Sequence, residues 1–94
     1  MVNKQAMENA APRPDYSEIG DRLRTVRVHF GECNQRLWAE KNGFNITQYN
    51  HWEKGTRRIP VDAAERLSDR YGLTLDFIYR GRRDGLAEKF SKTL

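Results

Sequence analysis

The stretch Gln35–Gly55, Q-R-L-W-A-E-K-N-G-F-N-I-T-Q-Y-N-H-W-E-K-G, reads as two short helices meeting at a tight turn. Asn34 is a suitable cap and Gly43 a suitable stop for a helix over 34–42. Asn45 caps a second one over about 46–53, with Gly55 shortly after it. Helices joined so tightly cross at roughly 90–120°. A crossing that close needs a small residue at the contact, and Ala39 supplies it. The turn favours a residue that accepts positive φ, and Gly43 supplies that. Tyr49 and Trp52, three apart, share one side of the second helix and are expected to anchor it. Ile46, Thr47, Asn50 and His51 are expected on the opposite side at about 100° per residue.

Outward from this pair the chain remains helical. Before it, Ile19, Leu23, Val26 and Phe30 recur at spacings of 4, 3 and 4, one face of a helix. Ser17 is read as its cap and Gly31 as its stop. After it comes a basic loop, Lys54-Gly55-Thr56-Arg57-Arg58. A fourth helix starts near Pro60, carries Val61, Ala64, Leu67 and Tyr71, and ends at Gly72. A short fifth helix runs from Thr74 as cap through Leu75, Ile78 and Tyr79 to Gly81. Residues 1–15, with Pro12 and Pro14 near their end, read as a disordered arm. Residues 82–94 read as a tail that adds a turn or two, docked through Leu86 and Phe90. Nothing reads as a confident strand. The expected fold class is all-α, a five-helix bundle over residues 16–81.

Composition bounds the rest. A chain of 94 residues holds one compact domain plus tails, with a thin core. The net charge is +4, and the excess sits early: residues 16–58 carry eight basic against five acidic side chains. That is a weak pointer to a polyanionic partner. No stretch approaches the roughly 18 apolar residues of a membrane span. No secretion signal is read at the amino terminus. A single cysteine, Cys33, makes no internal disulfide, which favours a reducing, cytoplasmic setting. His29 and His51 lie far apart, so no metal-ligand spacing appears. No nucleophile–base set, phosphate-cradling glycine loop or carboxylate pair stands out. The expectation is a protein without enzymatic activity, cofactor or small-molecule ligand.

The outer set of the second helix of the pair contains no acid. A solvated face usually carries lysine and glutamate pairs, whereas these groups suit base edges. Asparagine can pair with adenine, isoleucine and threonine methyls can meet the thymine methyl, and histidine can donate or accept. At this point the sequence resembles the Cro/C1-type (XRE-like) helix-turn-helix family over roughly Ile19–Gly81. The resemblance rests on Gln35, Ala39, Gly43, Tyr49, Trp52, Glu53 and Gly55 at the family's spacings. I-G-D-R-L-R-T-V-R is similar to its first helix. A-A-E-R-L-S-D-R-Y-G-L-T-L-D-F-I-Y-R-G is similar to its fourth and fifth. Three features depart from the pattern. The Gly31–Asn34 link is about one residue longer, Asn42 stands where a buried aliphatic is usual, and Leu37 falls at a usually polar position. A local shift of the second helix would account for all three.

The resemblance implies a lambda-repressor-like DNA-binding domain and a set of roles. Ile46, Thr47, Asn50 and His51 would read bases. Asn34, Gln35, Asn45, Thr56, Arg57 and Arg58 would hold phosphates. Arg27 would pair with Glu53 and lock the first helix to the third. The implied partner is double-stranded DNA, bound by a homodimer on a two-fold operator. Phe77, Tyr79, Leu86 and Phe90 are candidates for the dimer contact. Repression is the expected outcome. An antitoxin or restriction-modification controller would share this fold, and a protein-binding adaptor would share the scaffold without the DNA affinity.

Overall fold

The computed structural model describes residues 15–87, 90 and 94. The amino-terminal arm read over 1–15 lies, save Asp15, outside the described residues. So does most of the turn expected beyond Ala87. Among the described residues there are five helices and no strand. They are α1 (Ser17–His29), α2 (Gln35–Lys41), α3 (Ile46–Lys54), α4 (Val61–Tyr71) and α5 (Leu75–Arg80). None is long and apolar enough to cross a membrane.

Local chemistry sets the boundaries. The side chains of Asn34, Asn45 and Thr74 accept hydrogen bonds from the backbone N–H of Leu37, Gln48 and Phe77, capping α2, α3 and α5. At α1 the sequence reading is corrected. Ser17 is the first helical residue rather than the cap, and its N–H donates to the Asp15 carboxylate at 2.9 Å. A carboxylate suits that position because it satisfies an orphan donor and faces the positive end of the helix. The turn after α2 passes through Gly43 at φ +77°, a conformation that other residues adopt only with strain.

The core joins every helix. α1 packs on α3 and α5, α2 on α3, and α4 on α5. Leu23, Val26, Trp38, Ala39, Tyr49, Ile59, Ala64, Leu67 and Ile78 are almost fully buried. The stripe expected on α4 shifts by two residues at its start. Ala63 is buried, while Val61, the first residue of the helix, is 56% exposed. Phe77, Leu86 and Phe90 are also core residues, at 2, 8 and 5% exposure. Tyr79 is half-buried and its hydroxyl donates to the Ile59 carbonyl at 2.6 Å. These four were candidates for a dimer contact. Three of them, Phe77, Leu86 and Phe90, instead close the bundle's own end.

The first and third helices touch through glycine. A Cβ placed on Gly20 would overlap the Glu53 carbonyl oxygen and lie 2.8 Å from that of Trp52. A Cβ on Gly55 would lie 2.6 Å from the Ser17 Cα, where the Tyr16 N–H donates to the Gly55 carbonyl at 3.1 Å. The start of α1 is thus seated directly on the end of α3.

Asn42 explains how a polar residue fills a core position. It is 1% exposed. Its Nδ2 donates to the Trp38 carbonyl at 3.0 Å, and its Oδ1 accepts from the Tyr71 hydroxyl at 3.0 Å and from Arg70 at 3.3 Å. Arg66 donates to the Asn42 and Gly43 carbonyls, and Arg70 to that of Lys41. Two arginines of α4 thereby satisfy carbonyls that the end of α2 leaves open, while Tyr71 and Arg70 satisfy the Asn42 side-chain oxygen. Leu37 is 51% exposed, and α2 starts at Gln35.

Candidate nucleic-acid interface

The site is built on α3, and its wheel decides which side chains reach the surface. At about 100° per residue, Tyr49, Trp52 and Glu53 cover the inner arc. All three are buried. Thr47 and Gln48 are exposed, and Asn50 and His51 half-buried. Ile46 requires a correction. It lies seven residues before Glu53, about 20° away on the wheel, and is half-buried against the core. It forms the edge of the outer arc, not its centre. Gln48 was missed in the sequence reading. Its position three residues before His51 could have found it, since that spacing puts both on one arc.

Beneath the outer arc lies a polar network. Arg27 grips Glu53 with two parallel hydrogen bonds, Nε to Oε2 at 2.8 Å and Nη2 to Oε1 at 2.9 Å. Their side chains are 9% and 5% exposed. The same guanidinium donates to the carbonyls of Glu32 and Cys33, which ties down the link between α1 and α2. The Tyr49 hydroxyl donates to Glu53 Oε2 at 2.6 Å, and Gln35 Nε2 to Glu53 Oε1 at 3.1 Å. Burial pushes the Glu53 carboxyl up, yet the hydrogen bonds from Arg27, Tyr49 and Gln35 together hold it below its ordinary value. Burial, with the Glu53 charge beside it, pushes the Tyr49 hydroxyl well above its ordinary value.

Gln35 is half-buried and its amide is engaged at both ends. Besides the bond to Glu53, its Oε1 accepts from Asn50 Nδ2 at 2.8 Å. Of the phosphate-holding candidates it is therefore the one turned inward, with one amide hydrogen to spare. Asn34 and Asn45 are exposed, and their oxygens are taken by the caps. That leaves their NH₂ groups as donors.

The far edge of α3 is basic. Thr47, Gln48, His51 and Trp52 share an open groove of about 470 Å³ with Arg57, Arg58 and Pro60. An adjoining groove of about 780 Å³ runs from Arg57 and Arg58 to Lys54 and to Asp15 and Tyr16. The loop between is fastened to α3: the N–H groups of Thr56 and Arg57 donate to the His51 carbonyl. The Thr56 hydroxyl also donates there, at 3.3 Å, and lies 2.9 Å from His51 Nδ1. Arg57 and Arg58 are exposed, and the Arg58 guanidinium stacks 4.9 Å above the Tyr79 ring.

Thr47, Asn50, His51, Thr56, Arg57 and Arg58 thus fall on one face, with Ile46 at its rim and Gln35 behind it. Among the described residues, no group of three or more His, Cys, Asp and Glu side chains could hold a metal ion. No family model, curated protein sequence or solved structure matches the chain.

Proposed function

We propose that the chain is a sequence-specific double-stranded DNA-binding transcriptional regulator of the Cro/C1 helix-turn-helix type. In this reading α2 and α3 form the helix-turn-helix and α3 enters the major groove. The observation that carries it is the groove in which Thr47, Gln48 and His51 stand beside Arg57 and Arg58. Hydrogen-bonding groups without an acid, rimmed by exposed cations, match a surface that reads base edges while the rim holds phosphates. The exposed arginines also distinguish this face from that of an adaptor that has lost DNA affinity.

Thr47, Asn50, His51 and Gln48 read bases, with the Ile46 side chain at the margin. Arg57, Arg58 and Thr56 hold phosphates on one side of α3, and Asn34 and Asn45 on the other. Binding as a homodimer to a two-fold operator is part of the proposal, with repression by occupancy as the outcome. Because Phe77, Leu86 and Phe90 are internal, the dimer contact uses another surface.

The test is a mobility-shift titration on the DNA upstream of the chain's own gene and on a scrambled duplex, each at two salt concentrations. Tighter binding to the first duplex and a steep loss with salt are expected. Arg57→Ala should weaken both duplexes alike and flatten the salt dependence. Asn50→Ala or His51→Ala should change the preferred base, at about 1–3 kcal/mol per lost contact. Equal effects of all three variants on both duplexes, or no shift at low salt, would remove the reading.

A further inference from the structure

We propose that the buried Glu53 carboxylate sets, through Gln35, which way round the Asn50 amide faces the outer surface of α3. Hydrogen-bond polarity fixes the order. An ionised carboxylate only accepts. Glu53 already accepts from Arg27 and Tyr49, and its remaining contact is Gln35. Gln35 must therefore turn its NH₂ end inward, and its Oε1 is what remains for Asn50. Oε1 is an acceptor, so Asn50 must turn its NH₂ end toward Gln35, and the 2.8 Å bond from Nδ2 meets that demand. What Asn50 has left to offer is its carbonyl oxygen and one N–H, in a fixed order.

Order matters to an amide that reads a base. Adenine presents an acceptor and a donor side by side in the major groove. A half-turn of the asparagine amide exchanges its own donor and acceptor and breaks both bonds. Free in solvent, the amide samples both settings. Held by Gln35, it has one. Gln35 is thus a positioning residue, and the Arg27–Glu53–Tyr49 cluster is the fixed end of a relay that reaches the surface in two steps. The structural half of this inference concerns the amide alone, and its consequence for base choice rests on the proposed function.

The experiment uses the full chain, as wild type, Gln35→Met and Asn50→Ala. Gln35→Met keeps the length of the side chain and removes both ends of the relay. The first readout needs no DNA: hydrogen exchange of the Asn50 side-chain amide by nuclear magnetic resonance, with the exposed Asn34 amide as reference. In the wild type one Asn50 hydrogen should exchange more slowly than those of Asn34, and in Gln35→Met this protection should be lost. Exchange of the wild-type Asn50 amide as fast as that of Asn34 overturns the relay, and this arm requires no variant to fold. The second readout is enrichment from a pool of randomised duplexes. Gln35→Met should lose about fivefold or more of the preference at the same base position as Asn50→Ala. A uniform loss of affinity with that preference intact overturns the relay and leaves Gln35 as a phosphate contact only. A wild type that enriches no sequence removes the proposed function, while the exchange measurement still decides the orientation of Asn50.

Discussion

Gly20 has no side chain, and the junction of α1 and α3 depends on that. A methyl group there would meet the carbonyls of Trp52 and Glu53. Gly20→Ala gains about 1 kcal/mol in helix propensity. The overlap is with backbone, which cannot rotate aside, and overpacking costs about 1–3 kcal/mol or more. A net loss of stability is expected in urea denaturation, against the sign that propensity alone gives. Glu53→Gln tests the other half of the same junction. It leaves the buried Arg27 charge without its carboxylate, a change expected to cost about 3–5 kcal/mol. A midpoint within error of wild type would show that the pair contributes little. Spacing alone does not join Arg27 to Glu53, which lie 26 residues apart. The pairing entered through the resemblance, whereas the need for a glycine at position 20 entered through nothing in the sequence. A glycine inside a helix marks a close approach only once the neighbour is known.

At the scale of single helices, what was legible was what is local. The caps at Asn34, Asn45 and Thr74 and the left-handed turn at Gly43 depend on a few adjacent residues. Asn45→Ala should remove the cap of α3 and destabilise the domain by about 0.5–2 kcal/mol. Its thermal midpoint should fall while Asn45→Ser stays near wild type. What was not legible depends on neighbours distant in sequence. The wheel of α3 separates its inner and outer arcs but does not say how wide the buried arc is, so Ile46 was placed too far out. The apolar count of α5 and the segment after it does not distinguish a core from an interface. Phe77, Leu86 and Phe90 were therefore candidates for a dimer contact, although Leu86 and Phe90 were also expected to dock the tail, and all three fill the bundle's end. Asn42 looked like a misfit until α4 supplied Arg70 and Tyr71 as partners.

For the whole molecule, the buried network makes stability depend on pH at both extremes. Glu53 has a folded-state pKa below its ordinary value of 4.5. Its contribution is fully present above that value and is lost as pH falls through the lower, folded one. Tyr49 has the opposite sign. Its hydroxyl is held protonated above its ordinary value of 10.0, so its contribution is complete below that pH and is lost as pH rises beyond it. The expected profile is level between, with an acid limb starting near pH 4.5 and an alkaline limb starting near pH 10. Denaturation followed at stepped pH checks it. On the alkaline side, tyrosinate absorbance from Tyr49 should appear only together with unfolding, since the chain has 4 tyrosines whose signals can be separated by Tyr49→Phe.

The chain has 2 tryptophans, Trp38 at 0% and Trp52 at 6% exposure, one on α2 and one on α3. Trp38 stacks on Tyr71 at 4.9 Å, and Trp52 meets Tyr49 and Phe44 edge-on. Intrinsic tryptophan emission therefore reports on those two helices, while α4 and α5 carry no tryptophan. A blue, structured spectrum that stays fixed on adding duplex would mean rigid docking. A red shift would mean that these indoles, on α2 and α3, become more exposed when duplex binds.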